Sequence, residues 1–192
     1  MKNRDIYQSD ESREIFLRLE NYSDIFSDFD VRPYSKRALS SDFLDEVKRA
    51  SNDKYDTGIE LVLYVPEEKR DQAQESVIAE RLKAHFKKHF LLLRKEKRKI
   101  LLLGTLMTVL GVISMILATR ILFEDPTQSV WLSFLVVFLE PAAWFLLWEG
   151  IDQILFSSKN VEPELSFYRK MANERGQIIF KSGELIPASP AV

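Results

Sequence analysis

The chain has no cysteine among its 192 residues, only two histidines and only six glycines. Without cysteine there is no disulfide scaffold, no thiolate metal site and no cysteine nucleophile. Two histidines on one basic stretch leave little for general acid–base catalysis. No glycine-rich phosphate loop, nucleophile elbow or serine–histidine–aspartate spacing is present. Enzyme chemistry would need scattered acids to meet in space. The sequence nominates no catalytic residue, metal or cofactor, and nothing in it points to nucleic acid.

A second absence is local. Residues 100–156 carry only Arg120, Glu124, Asp125, Glu140, Glu149 and Asp152 as charges, in a chain with 27 Lys and Arg and 29 Asp and Glu. The net charge of −2 therefore averages two unlike materials. Residues 100–123 form an apolar run long enough at 1.5 Å per residue for a hydrocarbon core of ~30 Å, and residues 130–156 form a second. Residues 124–129 link them, so short a stretch that the spans form an antiparallel hairpin. The first run begins a hundred residues into the chain, which excludes a signal peptide.

Arg81, Lys83, Lys87, Lys88, Arg94, Lys95, Lys97, Arg98 and Lys99 precede the first span with Glu96 as the lone acid, whereas the link holds acids and no base. By the positive-inside rule both termini are cytoplasmic, in an inner or plasma membrane. Arg94, Lys95, Lys97, Arg98 and Lys99 would also attract anionic lipid headgroups. Gly104, Thr108, Gly111, Ser114 and Ala118 recur at three and four, placing small side chains on one helix face for close packing, against the second span or another copy.

Glu140 lies about ten residues from either end of the second span, where an ionised side chain is costly. Pro141 removes a backbone donor beside it. Trp144, Trp148 and Asp152 follow Glu140 at steps of four on one stripe, with Glu149 on roughly the opposite side. Trp148, Glu149 and Asp152 lie near the cytoplasmic interface, with Glu149 and Asp152 within reach of Arg98 or Lys99. Glu140 reads as an ion or proton site in an oligomeric pore, or as a carboxyl bonded to Thr108, Ser114 or a neighbouring copy.

The flanking segments predict an α+β cytoplasmic domain, a short mixed sheet with two or three helices, interrupted by the two-helix transmembrane hairpin. Residues 1–66 hold a strand near 14–20, a helix over about 42–51 capped by Ser41 or Asp42, and a strand over 59–65 introduced by Gly58. Residues 67–99 form a basic stalk helix beginning after Pro66, with Ile78, Leu82, Phe86, Phe90 and Leu93 on one face, either continuing into the first span or bending at 94–99. Residues 157–181 supply a helix starting near Asn160 and Pro163 and a strand over 177–181 that completes the domain. Residues 182–192 read as a disordered tail.

Phe26, Phe29, Arg32 and Tyr34 form a candidate partner surface in a turn-rich segment. Asp24, Asp28 and Asp30 lack the glycine and terminal glutamate of a calcium loop and suit side-chain to backbone bonding. His85 and His89 have zinc spacing, but Lys87 and Lys88 repel a cation. These features together read as a small two-pass membrane protein: a homo-oligomer in a bilayer with anionic headgroups, carrying a cytoplasmic sensing or partner-binding domain. The alternatives are an oligomeric channel with Glu140 in the pore and an anchored adaptor recruiting a soluble protein through residues 22–34.

Overall fold

The computed structural model describes residues 13–52, 54, 59–124, 129–174 and 176–183. The chain divides into two compact units, one built from Met1–Leu91 with Leu165–Val192 and the other from Leu92–Glu164. Gly58, most of the 124–129 link and the tail beyond Gly183 lie outside the described residues.

The first unit holds strands β1 (Glu14–Arg18), β2 (Glu60–Val65) and β3 (Ile178–Ser182) in the order β1-β2-β3. Both pairings are parallel, so the expected mixed sheet is corrected to an all-parallel one. The reason is connectivity. Each of the first two strands is followed by a helical crossover that returns the chain to the same end of the sheet, as parallel pairing requires. Helix α1 (Ser41–Ser51) makes the first crossover, with Ser40 rather than Ser41 or Asp42 at its N-cap. The other α-helices among the described residues lie within the second.

Ile15 pairs with Leu61 and Leu61 with Ile178, while Leu17 pairs with Leu63 and Leu63 with Phe180. Period two puts these six on one face. Tyr22 meets Phe180 edge to face at 5.9 Å on that side. Ile78, Leu82 and Phe86 are fully buried, so the stalk's apolar stripe supplies core. Each contributes roughly 1.5–3 kcal/mol by leaving water.

Helix α2 (Gln72–Glu124) begins five residues later than Pro66 suggests. Glu67–Lys69 make a short 3-10 turn, and the Asp71 carboxylate accepts from the amides of Ala73 and Gln74 at 2.9 and 3.2 Å, capping the helix there. From Gln72 it runs without a break through the basic cluster at 94–99.

In the second unit α2 continues beside α3 (Val130–Asp152), which contains Pro141. A π-helical turn over Gln153–Ser157 joins α3 to α4 (Ser158–Met171) without a gap. The helix start expected near Asn160 and Pro163 is thus corrected: the wider turn carries the second apolar helix onward, and Pro163 sits inside the continuing helix. The helical stretches Gln72–Phe123 and Val130–Met171 are each long and apolar enough to cross a membrane.

Candidate functional site

The small-residue face of the first apolar helix is used within the chain. Gly104 and Gly111 are buried, as is Ala118, with Thr108 and Ser114 half-buried between them. A methyl group on Gly104 would stand 2.9 Å from the Gly150 carbonyl oxygen, and one on Gly111 would stand 2.9 Å from the Ala143 carbonyl. Gly150 closes the same seam from α3, where a methyl group would lie 2.6 Å from the Thr108 amide nitrogen. The backbones therefore approach as closely as glycine alone permits. The Thr108 hydroxyl donates to the Gly104 carbonyl at 2.9 Å.

The other side of α3 is open. Glu140, Trp144, Trp148 and Asp152 are all exposed, with Trp144 at 53% and Trp148 at 65%. The i, i+4 stripe thus lies together on the outer face, and Val136, Ala143 and Gly150 occupy the inner one. Glu140 makes no hydrogen bond or ion pair with any described residue, so the bonds expected to Thr108 or Ser114 are absent. Pro141 beside it offers no backbone donor.

Glu140 instead lines a cavity of about 250 Å³ with Met115, Thr119, Phe123, Ala143 and Trp144 among its walls. The Thr119 hydroxyl donates to the Met115 carbonyl at 2.8 Å and keeps lone pairs free for the cavity.

The basic collar is mostly solvated. Arg94, Lys95, Arg98 and Lys99 are exposed, while Lys97 forms an ion pair with Glu162. The reach expected from Arg98 or Lys99 to Glu149 or Asp152 is not made. Glu149 accepts instead from the Gln153 side chain one turn on, at 3.0 Å.

In the first unit the Tyr22–Tyr34 segment is a pinned loop. Ser27 and Ala38 close its base through a backbone bond of 2.9 Å, and the Arg37 guanidinium donates twice to the Ser27 carbonyl. The Asp30 carboxylate takes the Arg32 guanidinium at 2.7 Å and the Ala38 amide at 2.7 Å. Arg32 beside it holds the Asp30 carboxyl well below the usual carboxylate range. Asp24 similarly accepts from the amides of Glu20 and Asn21. These acids are occupied by the backbone, and among the described residues no three side chains gather as a metal site.

Phe26 is buried under the Tyr34 ring at 5.0 Å and drops out of the expected partner surface. Phe29 and a residue the sequence did not single out, Val31, stand almost wholly in solvent at 99% and 97% exposure.

A second network escaped sequence reasoning because its members are far apart in the chain. Glu75, 6% exposed, accepts two bonds of 2.8 Å from Arg70 and one of 2.8 Å from the Tyr22 hydroxyl. Arg70 also donates to Ser182 at the end of β3, and Tyr22 accepts from the Asp71 amide. With its hydrogen-bonding groups engaged, this network holds the start of α2 to the sheet.

The His85 and His89 rings lie 4.2 Å apart in a tilted arrangement, and His89 stacks on the Tyr168 ring at 5.1 Å. The His85 Nε2 is buried without a hydrogen bond to any described residue. Burial first, then the charges of His89, Arg81 and Lys88, push its pKa down from 6.5 to about 4. The unfolded chain therefore takes up this proton before the folded one does. Stability of the unit should fall as pH drops from 6.5 to about 4, by on the order of 2 kcal/mol after allowing for solvent screening. Thermal melts across that window should lose much of their slope in His85→Phe, and an unchanged slope would assign it to other groups.

Compared with protein-family models, curated proteins and solved structures, this chain matches none.

Proposed function

We propose that the chain is an integral membrane protein whose two apolar helices cross the bilayer as a hairpin and assemble with further copies, while its α/β unit faces the cytoplasm and binds a soluble partner. The Glu140 carboxyl, unpaired among the described residues, carries this reading. An acid at mid-span costs about 3 kcal/mol on insertion scales unless it is neutral, paired or wetted, and two helices alone enclose no water. A neighbouring copy supplies the missing environment. Because the glycine seam is spent inside the hairpin, the face left for assembly is the outer stripe of Glu140, Trp144, Trp148 and Asp152. The lysine and arginine collar supports the cytoplasmic orientation and contact with anionic headgroups. Phe29 and Val31, held out on a pinned loop, are the side chains we assign to the soluble partner.

Native mass measurement in nanodiscs, with crosslinking in membranes, tests the assembly. A discrete oligomer is expected, shifting toward monomer in Glu140→Leu. A strict monomer by both methods would end this reading.

A further inference from the structure

We propose that the cavity beside Glu140 binds a small lipophilic organic cation of the aryl-alkyl ammonium class, with Glu140 as its counter-ion. The inference rests on the reading of the hairpin as membrane-spanning and names the ligand chemistry of that same polar spot.

Three observations select this class. The cavity, about 250 Å³, suits a small organic molecule and far exceeds what a proton needs. Its oxygen-bearing side chains are Glu140 and Thr119, whereas Ca²⁺ takes about 6–8 oxygen ligands and Mg²⁺ demands about six in an octahedron. A bare metal ion is therefore badly served. The remaining walls are aromatic and aliphatic, Trp144 and Phe123 among them. A carboxylate next to an indole is the chemistry that recognises an ammonium group, through charge pairing and attraction to the ring face.

The membrane strengthens the argument. An ionised carboxyl alone in hydrocarbon is costly, but a monovalent cation seated on it leaves the site neutral overall. A primary ammonium can donate to Glu140 and to the free lone pair of the Thr119 hydroxyl, while its aryl end lies against Met115 and Ala143. An inorganic cation has no such apolar part to place.

The test uses the full chain in phosphatidylcholine nanodiscs, with empty discs as the reference for partitioning. Phenethylammonium and benzyltrimethylammonium are titrated by calorimetry, and phenethyl alcohol serves as the uncharged counterpart. Saturable binding of both cations is expected, with little or none for the alcohol. Glu140→Gln should weaken the cations by about tenfold or more, and Trp144→Leu by about fivefold, the scale of a solvent-exposed cation–aromatic contact. Equal binding in Glu140→Gln, equal binding of the alcohol, or no saturable binding would overturn the proposal. Circular dichroism and co-elution with the disc show whether each variant is folded and inserted. The outcomes separate the two readings. An oligomer that binds no cation removes this inference alone, a monomer that binds one removes the oligomer alone, and a chain that does not enter discs removes both.

Discussion

Replacing Gly150 with leucine should separate the two long apolar helices and cost the hairpin about 3 kcal/mol or more. Even the first carbon of a new side chain would fall 2.6 Å from the Thr108 amide nitrogen and 2.7 Å from the Gly104 carbonyl oxygen. These are backbone atoms, which cannot rotate aside as a flexible side chain would. The helices must move apart, and the matching contacts of Gly104 with Gly150 and Gln153 are lost with them. A methyl group on Gly111 would stand 2.9 Å from both the Ala143 carbonyl oxygen and the Leu147 amide nitrogen, which marks a second point of the same seam. Gly150→Ala should show a smaller loss of the same kind. Leu102→Val, at a side chain 71% exposed, should leave the hairpin intact. Thermal melts of helicity and protease resistance in detergent read the effect. A Gly150→Leu protein that melts with the native chain would contradict this packing.

The first helix's half of that seam was legible in the sequence because it needs only one helix's periodicity, small residues at steps of three and four lying together wherever the helix is placed, whereas Gly150 on the facing helix was not singled out. The stripe of Glu140, Trp144, Trp148 and Asp152 was legible for the same reason. Its cavity was not, since Met115 and Thr119 reach it from the other helix, and no local pattern records which residues meet across a hairpin. Burial of Ile78, Leu82 and Phe86 followed from their spacing. Strand direction did not, because a short apolar strand reads alike in parallel and mixed sheets. Direction is set by where the crossovers return the chain, and the second crossover includes the whole hairpin. The joined second helix was hidden by Asn160 and Pro163, which resemble a helix start, while the π-helical turn at Gln153–Ser157 has no comparable sequence mark. Val31 went unnoticed because an isolated valine between acidic and basic residues gives no sign of its exposure.

The other large effect is expected at Glu75, and it separates the α/β unit's acid sensitivity from that of His85. Glu75→Ala would leave the Arg70 guanidinium without its carboxylate and the Tyr22 hydroxyl without its acceptor, at a site where Glu75 is 6% exposed. Arg70 is exposed and stays solvated, so the cost comes mainly from the buried Tyr22 hydroxyl left without its acceptor and amounts to about 1–3 kcal/mol. In the full chain, the amides of β2 should then exchange with solvent much faster, since the start of α2 is no longer held to Ser182 and the Phe180 carbonyl. Glu75→Gln keeps the shape and one acceptor oxygen, so it should lose less. The pH dependence has a definite sign. The Arg70 hydrogen bonds outweigh burial and hold the Glu75 carboxyl below its usual value of 4.5. Stability from this pair is thus complete above that value and declines as pH falls through the lower pKa of the folded state. His85 acts in a higher window, between 6.5 and about 4. Glu75→Gln should therefore flatten the stability profile below pH 4.5 and leave the decline above it, whereas His85→Phe should flatten the upper part. If Glu75→Gln instead removed the decline near pH 6 and left the acid limb untouched, the Arg70 pairing would not be what stabilises the ionised carboxyl.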